Sequence, residues 1–313
     1  ILIIDPEAEY GVLAKEFGGE NIKISTNSTS CVNPFDITDS LYELKRNDED
    51  NPLRLKQEFL ITFIEVLAEG LSQQEKSIVD RVITKIYSEY MENLEKNIVI
   101  KPTLETFYDK LVLEVQREAL NLALRLELYV KGSLNIFSKP TNVEVNKRIV
   151  NFNIKELGGQ LKNVALLIIC DLLWNKVCKN RELKKRTWIY IDEIYLLFGN
   201  EASAKFLFEF YKRVRKYGGV PTGITQNVED LLRSDTARTM LSNAAFLCIL
   251  RQSTNDREHL KEIFDLSDTQ ANYTKNNPPG TGIILAEGQV IHFRDKMDTT
   301  SPLYKMMSTK IDD

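Results

Sequence analysis

The chain has 313 residues, of which 43% are hydrophobic and 27% charged, and its formal net charge is −4. This balance is typical of an ordinary globular protein and excludes a uniformly basic one, so any contact with nucleic acid or anionic lipid has to be local. A chain of this length predicts two folding units, because single hydrophobic cores stop growing at roughly 250–300 residues.

The cysteines and histidines indicate the redox compartment of the protein and whether it can bind zinc. The cysteines are Cys31, Cys170, Cys178 and Cys248. They show no C-x-x-C spacing and three of them lie in apolar runs, so we expect reduced core residues in a cytosolic compartment. The histidines are His259 and His292. Two histidines and dispersed cysteines do not favour a zinc site, and we expect no zinc.

The chain opens on an apolar run, Ile1–Asp5, which predicts a buried strand. Such a strand needs a neighbour, so we interpret the sequence as a fragment of a longer protein. Pro6 suits the first turn of a short helix that ends at a glycine pair. Asn21–Ile24 predicts a second short strand, and Asn33–Asp36 predicts a turn.

Helical patterns follow from about Thr38 to Asn142. Asn51-Pro52 predicts a capped helix start, and Ser72 with Glu75 predicts a capping box. The apolar residues at helical spacing are Leu55, Phe59, Phe63, Val66, Leu67, Ile78, Val82, Ile83, Ile86, Tyr90, Phe107, Leu111, Val115, Leu120, Leu124 and Leu128. A helical block inserted between β segments predicts a separate subdomain that serves packing or partner contact.

Strand and helix patterns alternate in the remainder. The predicted elements are a strand at Arg148–Ile154, a helix at Leu157–Val177, a strand from Thr187, a helix at Asn200–Tyr217, strands at Val220–Thr225 and Ala244–Leu250, and a hairpin of Thr281–Leu285 with Gln289–Phe293. This alternation predicts an α/β fold in which a right-handed parallel sheet lies between helices.

The stretch Thr187–Phe198 carries the strongest chemical signal. Its first residues predict a strand buried on both faces, which runs directly into Asp192 and Glu193. Ligands of open α/β sheets bind at the carboxyl ends of strands. The pattern is that of a Walker B strand, in which Asp192 holds Mg²⁺ and Glu193 polarises the water that attacks the γ-phosphate. The alternative is an acidic pair that marks a solvated turn.

Three further features point to phosphoryl transfer. Gln226 follows the next predicted strand, where a neutral amide can hydrogen-bond a γ-phosphate, although its position alone favours a simple helix cap by Gln226-Asn227. The run Lys212–Lys216 contains Arg213 and Arg215, which are candidates for an arginine finger toward a neighbouring subunit or, alternatively, partners of a helix dipole. Asp5 ends the first strand and is a candidate nucleotide-binding residue at the same sheet edge.

The sequence contains no G-x-x-x-x-G-K-[ST] motif. Gly280-Thr281-Gly282 follows two prolines and enters the predicted hairpin, so we assign it to turn chemistry. We therefore expect the chain as written to bind ATP poorly or not at all.

Two groups of segments carry a family resemblance. The first is Ile3–Tyr10 with Asn33–Phe35, and the second is Ile189–Glu193, Arg215–Gly219 and Gly223–Asn227. In this order they resemble the VirB-type traffic ATPases of conjugation and type IV secretion, within the FtsK/HerA-like branch of RecA-type P-loop ATPases. The second group is similar to their Walker B, arginine-containing and glutamine motifs, and the closing hairpin is similar too. The family's Walker A segment is missing from this sequence.

The resemblance implies a RecA-like ATPase domain in two parts, residues 1–37 and 148–313, around an inserted all-helical subdomain at residues 38–147. It implies ATP and Mg²⁺ as cofactors, with Asp192 as the Mg²⁺ partner, Glu193 as the catalytic base and Gln226 as the γ-phosphate sensor. Arg215 is the first candidate for the finger and Arg213 the second. It also implies a working hexamer at the cytoplasmic face of the cell membrane, with inner-membrane channel components as partners and DNA or protein as the substrate.

Two alternatives stay open. A DNA-translocating motor of the same branch would present basic residues to its pore, and the acidic balance together with the lack of a second basic cluster argues against it. A non-catalytic assembly module would bind partners through the helical block, and the presence of Asp192, Glu193 and Gln226 argues against that reading.

Overall fold

The computed structural model of the protein describes residues 1–46, 51–226 and 228–308. The strands in these ranges are β1 (Leu2–Asp5), β2 (Glu20–Lys23), β3 (Val150–Asn153), β4 (Thr187–Ile191), β5 (Gly219–Gly223), β6 (Phe246–Ile249), β7 (Thr281–Ala286) and β8 (Gln289–Arg294). The α-helices are α1 (Gly11–Glu16), α2 (Leu41–Leu44), α3 (Pro52–Leu67), α4 (Gln73–Glu95), α5 (Leu104–Val112), α6 (Arg117–Val130), α7 (Gly159–Glu182), α8 (Glu201–Lys216), α9 (Val228–Leu232), α10 (Asp235–Ser242), α11 (Thr254–Phe264), α12 (Asp268–Asn272) and α13 (Pro302–Met307).

The chain forms two compact units. The first contains Ile1–Asp192 and Glu209–Gly223, and the second contains Glu193–Phe208 and the chain from Ile224 onward. The sequence predicts domain limits at residues 37/38 and 147/148, on either side of an inserted subdomain. These limits do not coincide with the boundaries of the two compact units, and they stay predictions.

The first unit is built on a parallel sheet with the strand order β2-β3-β1-β4-β5. The central strand β1 pairs on one side with β3 and on the other with β4. Ile4 in β1 is fully buried, as is most of the apolar length of α7. Because all five strands run in one direction, their carboxyl ends share a carboxyl edge and their first residues share an amino edge. The predicted α/β fold, a parallel sheet flanked by helices, is confirmed.

The prediction that β4 is buried on both faces is wrong. Ile189 and Ile191 are fully buried, but Trp188 is 44% exposed. Near Trp188, buried and exposed side chains therefore alternate along β4, as they do in a strand that is covered on one face only. Aromatic and β-branched composition indicates a strand, but it does not reveal whether a helix covers the second face.

Between β2 and β3 the regular elements of the described chain are all helical, as predicted. Asn51 caps α3 by accepting from the Leu53 and Arg54 amides, with Pro52 in the first turn. Thr103 caps α5, and Ser72 and Glu75 form the predicted capping box on α4. These side chains satisfy amide groups that the helices leave open at their starts.

The packing of α6 departs from the prediction. Leu120, Leu124 and Leu128 are exposed, whereas the neighbouring face of the helix is buried, including Leu122 and Leu126. Val115 lies beyond the end of α5 and is 94% exposed. Both faces of α6 carry leucines, so helical spacing alone could not identify the one that faces the core.

The second unit contains an antiparallel sheet with the order β6-β7-β8. The predicted hairpin is confirmed, and both turn residues, Glu287 and Gly288, have positive φ angles of 51° and 77°. That backbone fits a two-residue turn whose twist matches the strands. The expected strand at Ala244–Leu250 exists as β6, but it pairs antiparallel with β7 instead of joining the parallel sheet.

The core of the second unit also forms around this sheet. Ile249 and Ile283 of the sheet pack with Val228, Leu232 and Leu260 from the helices. Gly280 begins the hairpin with φ 79°, and a Cβ atom there would lie 1.9 Å from the Asp295 carbonyl oxygen. The predicted assignment of this glycine to turn geometry agrees with that close approach.

The cysteines are all free thiols. Cys31 and Cys170 are buried as expected and Cys178 is intermediate, but Cys248 is exposed, so its assignment to the core is wrong. Its strand, β6, lies at the edge of the antiparallel sheet, which explains how an apolar run can remain open to solvent. Within the described ranges, no helix combines the length and apolar character that crossing a bilayer requires.

The capping box on α4 makes stability depend on pH. Burial works against ionisation of Glu75, but hydrogen bonds from Ser72 and the charge of Arg125 hold its pKa below the usual 4.5. A depressed pKa contributes stability above the unfolded value, and that stability is lost as the pH falls below 4.5. We expect Glu75→Gln to cost about 0.5 kcal/mol at pH 7 and nothing at the lowest pH. Thermal unfolding of both proteins between pH 3 and 7 measures this difference, and a constant difference would contradict it.

Candidate active site

Two candidate acidic residues lie at the carboxyl edge of the first unit. Ile4 of β1 is in register with Ile191 of β4, so Asp5 and Asp192 end neighbouring parallel strands. The Asp192 amide donates to the Ile4 carbonyl oxygen at 3.1 Å, which extends the ladder by one residue. The structure thus brings these two predicted residues to one edge of the sheet.

The Asp5 carboxylate is fully buried and heavily bonded. One oxygen accepts from the Glu9 amide at 3.0 Å, and the other accepts from the Tyr10 amide at 3.1 Å. Asn151 Nδ2 also donates to Asp5 Oδ2 at 2.8 Å. These bonds stabilise the turn after β1. The role of Asp5 toward a nucleotide stays a prediction.

Asn151 was not identified from the sequence. It lies in β3, is fully buried, and donates through Nδ2 to both Asp5 and Asn21. An amide in the middle of an apolar strand costs free energy unless it is hydrogen-bonded, so its presence in the run Ile149–Phe152 was an available signal. It holds the Asp5 carboxylate in place.

Asp192 has the chemistry of a magnesium ligand. Its side chain ends β4 and the residue is only 7% exposed. Mg²⁺ is usually held by one or two carboxylates, with waters and phosphate oxygens completing the shell. In the described part of the chain no group of three or more His, Cys, Asp or Glu residues is placed to hold a metal ion by itself. A single buried carboxylate that shares its ion with a nucleotide therefore fits the residues present.

Glu193 begins the second unit in an unusual conformation. Its backbone lies in the left-handed region, with φ 46° and ψ 48°, which is rare for residues other than glycine, asparagine and aspartate. Such conformations cost of order 1–3 kcal/mol and are concentrated at functional sites. The amide of Ile194 donates to the Ile224 carbonyl oxygen at 3.0 Å, which fixes this turn against the segment that precedes Gln226.

Glu193 and Gln226 are in direct contact. Gln226 Nε2 donates to Glu193 Oε1 at 3.1 Å, across 33 positions of sequence. Glu193 is 9% exposed, whereas Gln226 is exposed. The Glu193 carboxylate is therefore shielded from water, and the exposed Gln226 amide orients it. Two predicted residues meet here, and their catalytic roles stay predictions; the helix cap considered for Asn227 lies outside the described residues.

Arg213 and Arg215 lie at the opposite edge of the sheet from Asp192. They end α8, shortly before β5 begins at Gly219, and so belong to the amino edge. The five residues of β4 span roughly 17 Å. Neither guanidinium can reach the Asp192 of its own chain across that length. The predicted finger role therefore requires a neighbouring subunit.

The two arginines differ in their surroundings. The Arg213 guanidinium lies 5.6 Å from the centre of the Trp174 ring. Arg215 is exposed, and within the described residues its side chain forms no ion pair or hydrogen bond. An arginine that is not engaged within its own chain is free to contact another one, and the ranking of Arg215 before Arg213 stays a prediction.

The expectation that the chain lacks a second basic cluster is wrong. Lys147 and Arg148 precede β3, and Lys184, Lys185 and Arg186 precede β4, so both groups lie at the amino edge. Lys184, Lys185 and Arg186 are consecutive and already form a basic run in the sequence, whereas Lys147 and Arg148 lie far from them along the chain. The parallel sheet brings the starts of its strands together.

Comparison with known proteins identifies the family. The model of one family, described as the TraG P-loop domain, matches residues 1–276. The chain belongs to the TraG P-loop domain family. The predicted resemblance to the ATPases of conjugation and type IV secretion is thereby confirmed. The comparison with curated proteins finds no match.

Solved structures of VirB4 and of the coupling protein TrwB have the same fold. VirB4 of Thermoanaerobacter pseudethanolicus is 24% identical with a TM-score of 0.81, and the match covers 97% of this chain and 82% of that one. The unbound bacterial conjugative coupling protein TrwB is 13% identical with a TM-score of 0.52, covering 95% and 84%. TrwB in complex with ADP and Mg²⁺ is 13% identical with a TM-score of 0.50, covering 96% and 86%. These likenesses show that this member of the TraG P-loop domain family shares their fold.

Proposed function

We propose that the chain is the motor domain of a type IV secretion or conjugation ATPase, and that it hydrolyses ATP to drive pilus assembly or substrate transfer. Membership of the TraG P-loop domain family supports this proposal. The TrwB structure that contains ADP and Mg²⁺ supports ATP and Mg²⁺ as its cofactors.

One observation carries the proposal, namely the contact between Glu193 and Gln226. A buried carboxylate with a strained backbone is held by an exposed amide, directly after the aspartate that ends β4. A carboxylate in a solvated turn would be exposed to water, and it would not need a hydrogen-bond partner 33 positions away. The arrangement suits a general base that is oriented by a group able to contact phosphate.

Each of the site residues has a separate role in the proposed hydrolysis of ATP. Asp192 holds Mg²⁺ directly or through water, and the ion supplies neutralisation of charge on the phosphate oxygens. The Glu193 carboxylate accepts the proton of the water that attacks the γ-phosphate. Gln226 exchanges its bond with Glu193 for one with the phosphate or that water, and so reports whether the γ-phosphate is present. Asn151 and Asp5 stabilise the first turn of the carboxyl edge.

We also propose the setting of this activity. The working form is a homo-oligomer, because the candidate fingers of one subunit can serve only the site of another, and the family resemblance favours a hexamer. The chain works at the cytoplasmic face of the cell membrane, where it contacts other secretion-channel components and acts on DNA or protein as its substrate. The family and the positions of Arg213 and Arg215 support this setting.

The arrangement between subunits can be tested with Arg215→Ala. In a protein that carries this chain together with a P-loop, we expect the variant to lose ATP turnover at least tenfold. Asp192→Asn should lose it as well. A mixture of the two inactive variants should regain part of the activity, because some interfaces then combine an intact Arg215 with an intact Asp192. Phosphate release from the separate and the mixed proteins measures this complementation.

The matched control is Arg117→Ala, which removes an exposed arginine from α6. Its turnover should equal that of the unmodified protein. Unchanged turnover in Arg215→Ala would remove this residue from the finger role. Loss without any regain in the mixture would assign Arg215 to the structure of its own subunit.

A further inference from the structure

The amino edge of the parallel sheet carries a concentration of cations. Lys147 and Arg148 precede β3, whereas Lys184, Lys185 and Arg186 precede β4. All five residues are exposed. Only β1 separates β3 from β4, so the two groups are about 10 Å apart. This group of five residues is called the basic edge below.

The cations of the basic edge have no acidic partners in the part of the chain that the structure describes. Within the described residues, none of the five forms an ion pair, although many lysines and arginines elsewhere do, such as Lys23 with Glu156 and Lys45 with Glu95. The charge here is therefore not neutralised within the unit. Lys176 of α7 responds to it, because burial and the nearby charges of Lys179 and Lys185 lower the pKa of its ammonium group.

Helix dipoles account for only part of the basic edge. The last turn of α7 already contains two cations, Lys179 and Arg181, and Lys184–Arg186 lie beyond its end. Lys147 and Arg148 follow no α-helix, since the nearest preceding one, α6, ends at Val130. The dipole effect falls off within one turn. An external anion explains the accumulation better.

Large apolar side chains are exposed at the same edge. Phe17 lies just before β2 and is 58% exposed, Leu183 adjoins Lys184 and is 56% exposed, and Trp188 is the second residue of β4 and is 44% exposed. Three separate segments thus each present an apolar side chain beside the cations. Amphipathic surfaces of this kind, with cations around tryptophan, phenylalanine and leucine, are typical of contact with the bilayer interface.

We propose that the part of the amino edge formed by β2, β3 and β4 binds an anionic membrane surface directly, whereas Arg213 and Arg215 lie beside β5 and stay available to a neighbouring subunit. The basic edge contacts lipid phosphate and carboxylate groups, while Phe17, Leu183 and Trp188 enter the interfacial layer. A duplex nucleic acid would satisfy the cations but offers its backbone no apolar region for phenylalanine and leucine, so lipid suits the whole surface better. The contact is additional to attachment through channel components and does not depend on ATP hydrolysis.

The test is sedimentation of the chain with lipid vesicles at about 0.1 M salt. We expect binding to vesicles of phosphatidylcholine with about one third phosphatidylserine, and little binding to pure phosphatidylcholine. The triple variant Lys184→Glu, Lys185→Glu, Arg186→Glu should lower the partition coefficient on the order of a hundredfold. Leu183→Ser with Phe17→Ser should lower it on the order of tenfold while the preference for phosphatidylserine remains.

The matched control reverses three exposed lysines away from this edge, Lys85→Glu, Lys96→Glu and Lys139→Glu. It changes the net charge by the same amount and should leave the partition coefficient within about threefold. Circular dichroism checks that each variant is folded. If the cluster variant is not folded, Lys147→Gln with Arg148→Gln replaces it, with about a tenfold loss expected.

Several outcomes would overturn the proposal. No binding to phosphatidylserine vesicles would do so, as would equal losses in the cluster and control variants. The same binding experiments are carried out with a double-stranded DNA oligonucleotide. If the cluster variant loses affinity for DNA while its vesicle partition is unchanged, the basic edge is a nucleic-acid surface instead.

Discussion

Glu193→Gln is expected to lower ATP turnover about a thousandfold in a protein that carries this chain together with a P-loop. The substitution keeps the size of the side chain and an oxygen that can still accept from Gln226 Nε2, so the turn should survive. It removes the carboxylate that takes the proton from the attacking water. ATP binding should persist, because Asp192 is unchanged. Steady-state phosphate release and equilibrium binding of a fluorescent ATP analogue measure the two properties separately.

The control for this experiment is Glu262→Gln, an exposed glutamate of α11 that loses a charge of the same sign. Its turnover should equal that of the unmodified protein. Turnover that stays unchanged in Glu193→Gln would remove Glu193 from the role of base. A parallel loss of ATP binding would instead assign the residue to nucleotide affinity.

The sheet was predictable because its signals are local. The apolar runs that end at Asp5 and Asp192, with helical patterns between them, predict parallel strands, and parallel strands place both aspartates at one edge. The caps at Asn51 and Ser72 were likewise predictable from a few adjacent residues. These features depend on residue type and spacing within one turn or one strand.

The rest depended on contacts between distant segments. The bond from Gln226 to Glu193 and the left-handed backbone of Glu193 arise from the fold, and no local pattern encodes them. The antiparallel pairing of β6 follows from where the hairpin packs, because a short apolar strand suits either sheet. The run Lys184–Arg186 is local and was overlooked, whereas its proximity to Lys147 and Arg148 arises only when the strands pair.

A buried ion pair was also missed, and it joins the helical block to the sheet's main helix. Lys56 of α3 is only 3% exposed, and its ammonium group donates to Asp171 of α7 and to the Pro34 carbonyl oxygen, the latter at 3.1 Å. It also lies 4.9 Å from the centre of the Phe59 ring. Burial raises the pKa of Asp171, and the charge of Lys56 opposes that change. In the sequence, Lys56 is simply a lysine on a helix.

Removing one partner of this pair should destabilise the protein strongly. Asp171→Ala leaves the Lys56 ammonium buried without a countercharge, and we expect a loss of about 3–5 kcal/mol in the free energy of unfolding. Lys56→Met should cost a similar amount, since it leaves the carboxylate buried. The double variant Lys56→Met with Asp171→Leu should recover most of the loss, because two apolar side chains need no partner. Urea unfolding of the unmodified protein, Lys56→Met, Asp171→Leu and the double variant closes the cycle and gives the coupling energy of the pair.

The exposed pair of Lys23 and Glu156 provides the comparison, since both side chains are about half exposed at 49% and 52%. Lys23→Ala should change the free energy of unfolding by less than about 1 kcal/mol, because water screens this pair. If Asp171→Ala were equally mild, water would have to reach the Lys56 ammonium in the folded protein. If the double variant were as unstable as the single ones, the loss would come from packing between α3 and α7, and the two charges would not be its cause.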